Sequence, residues 1–297
     1  MVPGEVLIAV RCAGVGFAEV LMRRSGYLGV RPPFVPGMEV AGTVVKLGDG
    51  VEHLSPGDRV CAITVTGGYA EFAIADAHKT FAVPEGLDWP IAAALPITVP
   101  TAYALLHELG RVRQGDRVLI NAAAGGTGMV LGQMARHVGA HAVGIVSSAE
   151  KVAVAYRYGF EEVVTTAEVD VGALKPRSFD LMLDSVGGQA RRRGWEALAP
   201  FGMLVAYGNA GGVPEEKLAP ALLRNGNYCA GGLSITSLAD SNPERLASIA
   251  RASFALVAAD AVQIEISNIL PLERAADAQR ALESRRTTGK LVLDVAA

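Results

Sequence analysis

The stretch "NAAAGGTGMVLGQ", Asn121–Gln133, decides how this chain is read. It follows the apolar run "DRVLI" (116–120) and leads into "MARHVGAHAVGIV" (134–146). An apolar run, then glycines, then apolar residues at helical spacing describe a strand, a tight turn and a helix. Set against GxGxxG, Ala123 stands in place of the first glycine, and Gly125 and Gly128 fill the second and third. Gly125 lets the backbone approach a pyrophosphate, and Gly128 lets the helix pack close to the strand. The free amides and positive end of that helix favour an anion. A lone glycine-rich turn is weak evidence. Here a strand precedes it, a helix follows, and a second strand comes next. Ala124, Gly125, Gly126, Thr127 and Gly128 are therefore the candidate dinucleotide cradle.

Outward from this turn the text alternates. Strands are predicted at 117–122, 141–146, 162–165, 180–185 and 203–208, with a weaker one near Tyr228–Leu233, and helical stretches fit between most of them. That order implies a doubly wound parallel sheet. Residues 4–90 instead carry short β-branched runs broken by Gly, Pro and Asp, the pattern of a mostly β domain. A strand at "IEISNI", a helix at "LERAADAQRALES" and a strand at "KLVLDV" end the chain, and this tail is expected to rejoin the first domain and cover its edge. The fold class is thus α/β: a mostly β domain of residues 1–90 completed by 265–297, and a nucleotide-binding domain of 91–264.

Composition narrows the function. The 297 residues are 51% apolar and 19% charged, with a formal net charge of −3, ordinary for a globular protein. No basic patch suggests nucleic acid or a membrane surface. Three distant cysteines, Cys12, Cys61 and Cys229, fit a reducing compartment better than a disulfide framework. No signal peptide is visible, and a cytoplasmic protein is expected. The uncharged run 118–135 suits a buried strand, turn and helix better than a membrane span. The triplet Arg191–Arg192–Arg193 reads as a solvated helix face.

The end of the second strand bears on which dinucleotide binds. An Asp or Glu there holds the ribose 2′-hydroxyl of NAD. This chain has Ser147 and Ser148, with Lys151 following, and small hydroxyls beside a cation suit a 2′-phosphate. Glu150 is the nearest acid and is expected at the next helix start. Gly208 and Asn209 lie at a strand's carboxyl edge and are expected to approach the nicotinamide end.

The run "GDRVLINAAAGGTGMVLGQMAR" resembles the signature of the quinone oxidoreductase (zeta-crystallin-like) branch of the zinc-independent medium-chain dehydrogenase/reductase family. Agreeing pieces follow in order: "PGEVLIAVRCAGVGFAEVLMRRSGY", "PFVPGMEVAGTVVKLGDGVEHLSPGDRV", "ALPITVPTAYALL", "AYGNAGG" and "PLERAADAQRALESRRTTGKLVL". The resemblance covers essentially the whole chain. It implies a GroES-like substrate domain, a Rossmann domain, a cofactor cleft between them, NADPH as cofactor, and a homodimer through the Rossmann sheet edge. It also implies a cofactor role for Arg286 in "SRRTTGK".

Three departures from the family pattern stand out. Zinc-dependent relatives have Gly-His-Glu where this chain has Gly37-Met38-Glu39, and no Cys sits at the first ligand position near Val15, so no catalytic zinc is expected. The usual Asn-Phe pair appears as Gly16-Phe17, with Glu19 where relatives carry Asp or Glu. Relatives also begin with a further strand or two.

Without metal or triad, the reaction must come from the cofactor. Hydride would go to a quinone or an α,β-unsaturated carbonyl or enoyl thioester. Tyr27 is the candidate proton donor: polyketide enoylreductase domains often carry a Tyr at the matching position, and a phenol stays protonated at neutral pH. Tyr27 serves equally well as a packed pocket wall. Two functions fit: an NADPH-dependent reductase of such small molecules, or a reductase-derived NADPH-binding protein with little turnover.

Overall fold

The computed structural model describes residues 1–170, 172–214 and 217–295. Along the chain it forms β1 (Glu5–Val15), α1 (Phe17–Ser25), β2 (Glu39–Leu47), β3 (Arg59–Ile63), β4 (Phe72–Asp76), β5 (Thr80–Ala82), α2 (Trp89–Ala93) and α3 (Leu95–Tyr103). Then come β6 (Arg117–Asn121), α4 (Gly126–Val138), β7 (His141–Val146), α5 (Val152–Arg157), β8 (Glu162–Thr165), α6 (Thr166–Asp170), β9 (Phe179–Asp184), α7 (Gly188–Ala197), β10 (Leu198–Ala206), α8 (Pro220–Gly226) and β11 (Cys229–Gly232). Helices α9 (Ile235–Ser241) and α10 (Pro243–Ala258), strand β12 (Ile266–Pro271), helix α11 (Ala275–Glu283) and strand β13 (Lys290–Asp294) complete it.

These elements make two compact units. Unit 1 holds Met1–Pro100, Ile235–Asp260 and Ile264–Ala297. Its sheet runs β12-β13-β1-β2-β3-β5, with β4 also paired to β1. Along β1 the buried side chains Val6, Ile8 and Val10 alternate with partly exposed ones, the period of a strand with one face in a core. The C-terminal tail does rejoin this sheet: β13 lies antiparallel to β1, and β12 parallel to β13. Leu272, Ala275, Ala281 and Leu282 pack onto the same core.

Residues 91–100 and 235–260 also pack in unit 1, whereas the sequence placed them in the nucleotide-binding domain. Ile235, Ala239 and Leu246 share a cluster with Ile63. Phe254 meets Phe81 edge to face, with centroids 5.9 Å apart, and the Ile97 amide donates to Glu39 at 3.2 Å. An amphipathic helix announces its apolar face, but not which domain that face covers.

Unit 2 holds Thr101–Ser234 and Ala261–Gln263. Its six strands are all parallel, in the order β11-β10-β9-β6-β7-β8. Val118, Leu119 and Ile120 are all fully buried, as expected where helices cover both faces. The chain winds outward from β6 through β7 to β8, then returns to place β9 on the other side of β6. The gap between the ends of β6 and β9 is therefore the topological switch point, where open α/β sheets bind ligands.

Candidate functional site

The switch point is built first from the glycine turn. β6 ends at the buried Asn121. Ala122 then takes a left-handed backbone, φ +53°, and its carbonyl accepts from the Gly125 amide at 2.9 Å. Helix α4 begins at Gly126 with no side chain capping its first turn, so its leading N–H groups are left for an anion. A Cβ on Gly128 would sit 2.3 Å from the Ala122 carbonyl oxygen and 2.8 Å from Ala123 Cα. Only glycine lets the helix lie this close to the strand. Gly125, Gly126 and Thr127 are partly exposed, while Ala124 is buried.

Across the switch point stands Asp184, the last residue of β9 and 0% exposed. Its carboxylate accepts from Asn121 Nδ2 at 2.8 Å, from the Val186 and Gly187 amides at 2.9 and 3.2 Å, and from Arg191 Nε at 2.6 Å. Arg191 is thus no solvated helix residue, as the triplet suggested. Its side chain is 18% exposed, because the helix start points it back at the strand end. The loop after β10 lies on the loop after β9: the Ala210 and Gly211 amides donate to the Ser185 and Val186 carbonyls, both at 2.8 Å. Gly208 and Asn209, expected near the nicotinamide, sit in this stitched loop. Asn209 donates through Nδ2 to the Val213 carbonyl at 2.7 Å, and its Oδ1 is buried without a partner.

At the end of β7, Ser147 is exposed, Ser148 partly buried, and Lys151 half-buried in the turn Ala149–Lys151. The Ser148 hydroxyl bonds Glu150, and that bond is the main reason the Glu150 carboxyl is held below its ordinary value. Burial lowers the Lys151 ammonium, with Glu150 pulling the other way.

Unit 1 contains a buried ionisable cluster that sequence reading missed. Glu19 Oε2 accepts from the Gly16 amide at 2.9 Å; its Oε1 accepts from the Met38 amide at 3.2 Å and the Tyr69 hydroxyl at 3.3 Å. Glu39 Oε1 pairs with the buried Lys290 ammonium. Burial pushes the Glu19 carboxyl up to about 7, the Lys290 charge opposing and Glu39 adding. The available signal was Glu39 itself, a carboxylate inside the apolar run "GMEVAGTVV". Met38, at the position of the zinc relatives' histidine, is buried. Among the described residues, no group of three or more His, Cys, Asp or Glu is placed to hold a metal. Tyr27 lies partly buried in the turn after α1, and Arg286 is exposed in the turn before β13.

A chain that combines a Rossmann sheet, with a glycine turn at its switch point, and a separate mostly β unit falls in a class of dinucleotide-dependent oxidoreductases. Residues 2–85 match the model of the alcohol dehydrogenase GroES-like domain, and residues 158–293 that of a zinc-binding dehydrogenase domain. The chain is 32% identical to the rat synaptic vesicle membrane protein VAT-1 homolog, over 98% of this chain and 77% of that protein. It is 32% identical to a quinone oxidoreductase of Pseudomonas aeruginosa, over 98% and 91%. The crystal structure of Escherichia coli quinone oxidoreductase complexed with NADPH superposes with a TM-score of 0.89 at 26% identity, covering 99% of this chain and 93% of that one. The chain belongs to the medium-chain dehydrogenase/reductase family, in its quinone oxidoreductase branch.

Proposed function

We propose that this protein is an NADPH-dependent reductase that passes hydride to a quinone or an α,β-unsaturated carbonyl compound without a metal. The observation that carries this reading is the cradle at the switch point. Gly128 brings an uncapped helix start against β6, and Asn209 leaves a buried acceptor at the same carboxyl edge. Both fit a dinucleotide: the helix amides for its pyrophosphate, the acceptor for an amide group. NADPH bound there supplies the hydride.

The chain's own residues do the rest. The backbone from Ala124 to Gly128 holds the pyrophosphate. Ser147, Ser148 and Lys151 hold the 2′-phosphate, and Gly208 and Asn209 hold the nicotinamide end. Arg286 contributes to cofactor binding. Tyr27 supplies the proton that the reduced substrate needs. Glu39 is occupied by Lys290 and Met38 offers no nitrogen ligand, which supports metal-free chemistry. The protein acts in the cytoplasm on small molecules. No helix among the described residues is long and apolar enough to cross a membrane. Strand β11, an edge of the six-stranded sheet with Cys229, Ala230 and Gly232 exposed, is the surface for a homodimer.

The deciding experiment follows NADPH oxidation against a panel of quinones, enones and enoyl thioesters, before and after exhaustive chelation. The expected result is turnover with one of these classes that chelation leaves unchanged. NADPH binding with no acceptor reduced would make the protein a nucleotide-binding relative of the enzymes. Loss of activity on chelation, restored by zinc, would overturn the metal-free reading.

A further inference from the structure

The bonds at Asp184 are more than charge balance. Asn121 and the Val186 and Gly187 amides already satisfy much of this buried carboxylate. Arg191 adds the counter-charge through Nε at 2.6 Å, and then its Nη2 donates to the Gly208 carbonyl at 3.0 Å. One planar guanidinium therefore joins the end of β9 to the loop after β10, while Asn121 joins β9 to β6. Three strand ends at the switch point are tied through one carboxylate. Gly208 is laid so close to the neighbouring loop that a Cβ there would fall 3.0 Å from the Ser185 carbonyl oxygen. A lysine could balance Asp184, but a single ammonium lacks the fork that spans both acceptors.

We propose that Arg191 is a positioning residue for the nicotinamide half of the cofactor, clamping the Gly208–Asn209 segment to Asp184 at the β9 side of the switch point. This rests on the NADPH reading above. Arg191 touches no reacting atom. With the Gly208 carbonyl held, the next residue, Asn209, can turn only its remaining groups to a ligand. The adenine half, held at the ends of β6 and β7, does not depend on the clamp.

The test compares two ligands on the wild type and on Arg191→Lys, which keeps the positive charge beside Asp184 and breaks the span. NADPH contains both halves; adenosine 2′,5′-bisphosphate contains only the adenine half. Binding is read by fluorescence titration, with the unfolding midpoint as a control. Arg191→Lys should weaken NADPH by about tenfold while the bisphosphate stays within about twofold, since loosened positioning costs only the part of the ligand it orients. Should Arg191→Lys fail to fold, the double variant Arg191→Met with Asp184→Asn removes the buried charge and the clamp together, and the same pattern is expected. Equal NADPH affinity in variant and wild type overturns the clamp. So does equal weakening of both ligands, which would mark Arg191 as a fold residue only. Wild-type protein that binds no NADPH overturns the cofactor reading and the clamp with it; wild-type binding with an unmoved variant overturns the clamp alone.

Discussion

Glu19 holds its proton in the folded protein at a pH where an exposed carboxyl has lost it, because burial pushes it from 4.5 up to about 7. Between those values the folded chain binds the proton and the unfolded chain does not. The stability that this group contributes is therefore fully present below the ordinary carboxyl value and is lost as pH rises through about 7. The loss is expected to be roughly 3 kcal/mol. Urea denaturation at a series of pH values should show that slope in the wild type and a flatter one in Glu19→Gln; parallel slopes would refute the assignment. At the end of β7, NADPH should bind at least about tenfold tighter than NADH, about 1.4 kcal/mol. Lys151→Ala should erode that gap and hardly touch NADH. Identical affinities for the two cofactors in the wild type would sink the 2′-phosphate assignment. Tyr27→Phe keeps the ring and removes the donor, so turnover should fall about a hundredfold with substrate affinity held. With an α-methyl enoyl substrate, an unchanged rate and unchanged product configuration would leave Tyr27 as a wall.

Helix α4 shows what one missing side chain permits. Gly128→Ala would drive a Cβ into the backbone at Ala122 and Ala123, and backbone cannot swing aside as a side-chain tip can. The helix must lift off β6, at a cost of about 1–3 kcal/mol. Thermal melting should show the loss, and NADPH titration a weaker site; a variant as stable as the wild type would mean that the contact relaxes. This turn was legible in the sequence because strand, glycines and helix are contiguous there. The parallel strands were legible for a related reason: buried on both faces, they are written as short apolar runs. What escaped is whatever depends on distant partners. Asp184 and Asn121 lie 63 residues apart, and nothing local marks Arg191, within a basic triplet, as facing inward. Helix α10 has clear periodicity, but that does not say which unit it covers, since Phe81, its partner for Phe254, lies far away in the chain. Glu19 and Lys290 look like surface residues until the strands and turns around them close.

At the scale of the molecule, the parallel sheet of unit 2 ends in β11, a short strand of small and exposed residues. An unpaired edge of this kind invites a second copy. Sedimentation should report a dimer, and Ala230→Lys, which places a charge on that exposed edge, should shift it to monomer without lowering the unfolding midpoint. A wild-type monomer at micromolar concentration would discard the homodimer.

Unit 1 is interrupted by unit 2: the sheet that starts with β1 receives β13 only after the whole Rossmann unit has been translated. The Glu39–Lys290 pair spans 251 residues. On the ribosome, β1 can meet β2 and β4 early, but Glu39 then has no counter-charge and the Cys12–Val15 stretch of one β1 edge stays open through most of synthesis. A lone carboxylate cannot be buried cheaply, so that part of the first unit has to wait. Unit 2 draws all six of its strands from one unbroken segment and can close as soon as it emerges, since domains fold as units during synthesis. The nascent chain thus passes through a stage in which the nucleotide-binding half is finished and the other half is held open, until the last strand brings its lysine.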